Sequence, residues 1–119
     1  MNPFEIQDDL LTRLLSATTQ RSKVIANNIA NQNTPGYRRQ VLRFEELLGS
    51  AIAGGARDLS RVEPSLEEDQ LTPARPDGNN VNLELEMNAM RQNRLLYESY
   101  AAMLQGRFEM LRTSIESGR

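Results

Sequence analysis

Apolar side chains return at alternating intervals of four and three in two stretches of this sequence, one toward each end, and nowhere between them with comparable persistence. Leu11, Leu15, Thr18, Ser22, Ile25 and Ile29 mark the first stretch, and Leu10, Leu14, Ala17 and Val24 widen it. That interval keeps side chains on one helical face, so it predicts a helix over residues 8–31. The stripe changes character along its length. It is leucine-rich at the start, small and polar at Thr18 and Ser22, then isoleucine-rich beside a cluster of asparagines. Asp8 and Asp9 fall in the expected first turn, where unpaired N–H groups favour negative charge. Pro35-Gly36 rules out continuation, because the residue before a proline is pushed out of the helical region.

The second stretch is longer. Leu83, Met87, Met90, Arg94, Tyr97, Ala101, Leu104, Phe108, Leu111 and Ile115 keep the spacing without a break, with Arg94 as the one polar member. They predict a helix over residues 83–117, capped by Asn80 or Asn82, with Glu84 and Glu86 near its positive end. Leu95, Leu96, Tyr100, Met103 and Met110 broaden the face beyond a two-stranded seam, which implies more than one partner helix. At about 1.5 Å per residue the two helices would be roughly 35 and 50 Å long. Paired antiparallel within one molecule, they would leave about a third of the longer one uncovered. The mismatch implies packing between molecules, and an isolated chain that is only partly helical.

Between the helices the signals are shorter. Phe44, Leu48 and Ile52 predict one face of a short helix within residues 42–53, ended by Gly54-Gly55. From Ala56 to Asn80, three prolines and an acidic run read as surface loop or as a segment ordered by neighbours, with short extended stretches. Asp77-Gly78-Asn79-Asn80 is a turn signal. The expected fold is mainly α, with long N- and C-terminal helices forming an intermolecular coiled coil or helical tube around an irregular central segment. The expected divisions are residues 1–34, 35–80 and 81–119.

Composition removes most chemistry. The 119 residues suit one domain, and 14 basic against 16 acidic residues leave a net charge of −2. That balance offers no broad attraction to nucleic acid or anionic lipid. With no Cys and no His, disulfides, thiolates, imidazole bases and nearly all transition-metal sites are excluded. Glu67-Glu68-Asp69 lacks the spacing and glycine of a calcium loop. Phosphate-binding and nucleophile-elbow motifs are absent, and Lys23 is the sole lysine. The sequence therefore predicts no enzyme, cofactor or metal. Met1 to Glu5 has neither a basic segment nor a long apolar one, so no cleaved signal is expected, and no run is long enough to span a membrane.

One tract remains unexplained by composition. Asn27, Asn28 and Asn31 group at the end of the first helix, and amides are poor bases. Such a cluster suits precise register between helices better than catalysis. Thr34-Pro35-Gly36-Tyr37 adds a turn with an aromatic anchor, and Arg38 and Arg39 read as a solvated face or intersubunit ion pairs. The run Ala26–Arg39 resembles the N-terminal signature of bacterial flagellar rod and hook proteins, with Asn27, Asn28, Ile29, Ala30, Asn31, Asn33, Thr34, Pro35, Gly36 and Tyr37 at the motif positions. Asp77–Met87 and Asn93–Arg112 continue the likeness, which covers about residues 4–48 and 77–116 and is greatest to the short members of the proximal rod.

The resemblance implies a structural subunit of the basal body, exported through the type III apparatus without a cleaved signal and polymerising in the periplasm. Its terminal helices would form a tube that transmits torque and lines the export channel. Implied partners are the chain itself, other rod proteins, a FliE-like adaptor, and the membrane ring and export gate, with no nucleic acid and no lipid insertion. A coiled-coil export adaptor or chaperone, and another rod or hook subunit, are the alternative readings. The expected assembly face comprises Leu11, Leu15, Ile25, Asn27, Asn28, Ile29, Asn31, Asn33, Pro35, Gly36, Tyr37, Met87, Met90, Arg94, Tyr97, Leu104, Phe108, Leu111 and Ile115.

Overall fold

A computed structural model describes residues 3–118. Helix α1 spans Pro3–Ala30, strand β1 Gln40–Arg43, helix α2 Glu45–Ala53, strand β2 Ser65–Glu68 and helix α3 Leu83–Ser117. Asp8 meets Arg107, Ser22 meets Asn93 and Asn28 meets Glu86, so α1 and α3 lie antiparallel. The result is a flat rod of 68 × 28 × 15 Å.

Helix α3 has the bounds its periodicity predicts. Its cap is Asn82, whose side chain accepts from the Leu85 N–H at 3.2 Å. Helix α1 begins five residues before the expected start at residue 8. Pro3 occupies the first helical position, where its missing N–H costs nothing, and Glu5 supplies the negative charge of the first turn. The added length changes the overhang. Only roughly the last two turns of α3 run past the start of α1, rather than about a third of the helix.

The short helix also differs. Residues 40–43 enter a strand first, so α2 starts at Glu45. Phe44 and Leu48 are buried as the periodicity requires, but Ile52 is exposed. Strand β1 pairs antiparallel with β2, Leu42 opposite Leu66, and Asp69 N–H extends the ladder to Arg39 C=O at 2.9 Å.

Leu14 and Ala17 of α1 pack with Phe44 and Leu48 to form the core, flanked by Leu10, Leu11, Leu59, Val62 and Tyr100. Arg13 lies over the Phe44 ring, 5.6 Å from its centroid, and donates to the carbonyls of Leu59 (2.5 Å) and Val62. The chain thus orders its own central segment. Gly106 takes no part in close helix contact, since a Cβ there would meet nothing within 4 Å.

Candidate assembly interface

The asparagine tract is a junction inside the molecule. Asn28, fully buried, uses its whole amide. Its Nδ2 donates to Gln40 C=O (2.8 Å) and to Glu86 Oε2 (3.3 Å), while Oδ1 accepts from Gln40 N–H and from the Tyr37 hydroxyl, each at 2.9 Å. Toward Gln40 it acts as a neighbouring strand would, bonding both backbone groups of one residue. Asn27 donates to the Tyr37 oxygen at 3.1 Å. Asn31 donates to Asn27 C=O at 2.8 Å and accepts from Thr34 Oγ1 at 3.1 Å, which closes the turn after α1.

Two distant turns interlock on this junction. Gly36 (φ +76°) donates its N–H to Asp77 C=O at 2.8 Å. Gly78 (φ +86°) approaches so closely that a Cβ there would lie 3.3 Å from Gly36 Cα. Asn79 donates to the carbonyls of Asn31 and Thr34, at 2.8 and 2.9 Å. Asn80 accepts from Arg39 N–H at 2.7 Å and donates to Asp69 C=O at 3.0 Å. Both amides are buried, and the sequence reading missed them as parts of the site. Asn79 and Asn80 read locally as a turn, with Asn80 or Asn82 as the cap, because local spacing carries no sign of a partner some forty residues away.

The charges form a chain through the same place. Glu86 is inaccessible to solvent; Arg39 Nε donates to it at 2.5 Å and Arg39 Nη1 to Asp69 at 2.7 Å. The Thr72 hydroxyl, 2.5 Å from Asp69, and the Arg39 guanidinium hold the Asp69 carboxyl well below its usual range against the opposing effect of burial. Burial pulls the Arg39 pKa down, but Glu86 and Asp69 outweigh it and the net shift is upward. Arg39, expected on a solvated face or in an intersubunit pair, is therefore bound within its own chain. Burial also raises Tyr37, with the Glu86 charge adding to the effect.

Farther along α3, the side facing α1 is one residue around from the apolar line of the sequence. Glu86, Asn93, Tyr100 and Arg107, at steps of seven, point into the molecule, and all are polar. Asn93 donates to Thr18 C=O (2.7 Å) and Ser22 Oγ (2.9 Å) and accepts from Arg21 Nη1 (3.1 Å). Arg21 also binds Glu45. Tyr100 rests on the core beside Glu45; burial, then that negative charge, raises its pKa. Arg107 reaches Asp8 and Gln7. Thr18 and Ser22, which break the apolar stripe of α1, are thus the seat for Asn93.

This arrangement separates the expected assembly residues. Ile25 and Asn28 are buried inside the single chain, and Leu11, Leu15, Ile29, Asn31, Tyr37, Met90 and Leu104 are half-buried. Asn27, in the last turn of α1, and Asn33, Pro35 and Gly36, on the turn that follows, are exposed. Arg94 is not the polar member of the inner seam; it faces solvent and pairs with Glu98 at 3.1 Å. Met87 and Tyr97 are exposed, and Phe108, Leu111 and Ile115 are 55%, 54% and 57% exposed. Leu83, Leu95, Met103 and Met110 are exposed as well.

Two long antiparallel helices, locked at one end by an asparagine-rich turn, carry the motif of a known class. Residues 14–38 match the family described as Flagella basal body rod protein. The flagellar basal body rod protein FlgB of Borrelia hermsii is 34% identical to this chain, over 84% of it and 88% of the relative. That of Bacillus subtilis (strain 168) is 30% identical over 92% of each, and that of Escherichia coli (strain K12) 27% identical over 87% of this chain and 88% of the relative. The chain belongs to the FlgB family of flagellar basal body rod proteins. Among the described residues, no helix is long and apolar enough to cross a membrane.

Proposed function

We propose that this protein is a structural subunit of the proximal rod of the bacterial flagellar basal body. Its α1 and α3 pack against copies of itself and against other rod proteins to build a helical tube. The observation that carries the reading is the inversion of α3: polar residues face α1, while Met87, Tyr97, Phe108, Leu111 and Ile115 face solvent. Burying such a surface releases about 25 cal/mol per Å² of apolar area, which the monomer forgoes and an assembly recovers. Two unequal helices with different exposed faces favour head-to-tail contacts that continue into a tube over a closed dimer.

Helices laid along the tube transmit torque as staves and line the export channel. The same surfaces serve a FliE-like adaptor, the membrane ring and the export gate at the base, and the site is periplasmic. Residues 1–34 and 81–119 make the tube, with 35–80 as the connecting unit that fixes their pairing.

The test is complementation of a strain lacking this gene with Phe108→Ala/Leu111→Ala. Secretion should persist, swimming should be lost, and the subunit should be missing from purified basal bodies viewed by electron cryomicroscopy. Normal swimming would refute the outward face as the assembly surface. Loss of secreted substrates with the wild-type protein absent from the rod would favour an export adaptor or chaperone.

A further inference from the structure

We propose that Glu86, Asn93, Tyr100 and Arg107 form a register key, which fixes both the direction and the offset of α3 on α1. Apolar helices can slide past one another by whole heptads while burying similar area, so an apolar seam alone selects no single offset. A polar seam does, because each buried group left without its partner loses a hydrogen bond that water would have supplied. The four positions differ in chemistry, and at the observed offset each meets its complement. The Glu86 carboxylate needs the Asn28 amide and Arg39. The Asn93 amide needs Thr18 C=O, Ser22 and Arg21. Tyr100 needs the apolar bed of Leu14, Ala17, Phe44 and Leu48. The Arg107 guanidinium needs Asp8.

A slip of one heptad would set Asn93 or Arg107 on the Leu14–Ala17 bed, taking Asn93 from Thr18 and Ser22 or Arg107 from Asp8. Reversing α3 would bring Glu86 toward Asp8, charge against like charge. Because the key occupies the inner face, it also dictates which residues of α3 remain outside. The proposal concerns one chain and does not require the rod assignment, so its failure would leave that assignment standing.

The chain has no cysteine, so introduced ones are clean reporters. Gln20→Cys and Gln92→Cys, both exposed, would carry nitroxide labels on full-length protein at low concentration, with interspin distances read by pulsed electron resonance. The labelled parent should give one narrow distance. Asn93→Leu/Arg107→Leu should keep its helical circular dichroism but broaden that distribution or add a longer component, since a one-heptad slip offsets the two helices by roughly 10 Å along their axes. A single narrow distance unchanged in that variant would overturn the proposal. So would loss of its helical signal, which would make the polar line a source of stability and not of register. Leu95→Ala, on the outer face, should leave the parent distance intact; broadening there would place register elsewhere and also count against the key.

Discussion

The two ends of α3 solve opposite problems. At the Glu86 end the side chains facing inward are polar and fully matched, by Asn28, Arg39 and the turn held by Asn79 and Asn80. At the Ile115 end the apolar side chains of Phe108, Leu111 and Ile115 are more than half exposed. The first end is specific but contributes little net stability, because desolvating buried ion pairs offsets much of their attraction. The second has a large reserve of apolar surface but no specificity of its own. On the proposed reading, hydrogen bonds define the shape of this chain and the hydrophobic effect is left largely for assembly.

That contrast can be broken from either side. The largest effect should come from Glu86→Ala, which leaves Arg39 with Asp69 alone and opens a buried space; about 3–5 kcal/mol of unfolding free energy should be lost in urea titrations. Asn28→Ala strands Gln40, Tyr37 and Glu86 together and should cost about 3 kcal/mol by the same measurement. Gly78→Ala forces a side chain into a positive-φ turn against Gly36, and about 1–2 kcal/mol is expected, visible as a lowered melting temperature.

The acid response should be smaller and graded. Asp69 has a depressed pKa when folded, so the unfolded chain binds its proton first as pH falls. Its contribution is therefore complete above about pH 4 and erodes below it. Asp69→Asn should flatten the stability profile in that window, and an unchanged profile would remove Asp69 from the network. Last, Phe108→Ala should alter the stability of the isolated chain by no more than about 0.5 kcal/mol. A loss comparable to that of Glu86→Ala would erase the distinction between the two ends.

Several parts of this architecture were legible in the residues. The bounds of α3 follow from its unbroken spacing and the Asn82 cap, and the extent of α1 followed apart from its first turn. Asp8 and Asp9 set the expected start too late; they lie in the second turn, and Glu5 is the acidic residue of the first. Strand β2 was legible only as one of the short extended stretches expected between residues 56 and 80: Ser65–Glu68 is short, acidic and mostly exposed, and it is a strand because β1 lies beside it. The junction was half legible. Asn28 and Tyr37 stood out, whereas Asn79 and Asn80 looked like ordinary turn residues.

By itself, then, the order of residues determined the helices, the turns and the surplus of apolar side chains, because each depends on neighbours a few positions away. Which face of α3 turns inward was decided only by tertiary structure. Spacing favours the apolar line, but the partners available on α1 and the central loops at that offset are amides, carbonyls and charges. Full burial goes to the groups whose hydrogen bonds can be met there, and much of the apolar line, Met87, Tyr97, Phe108, Leu111 and Ile115, is left exposed.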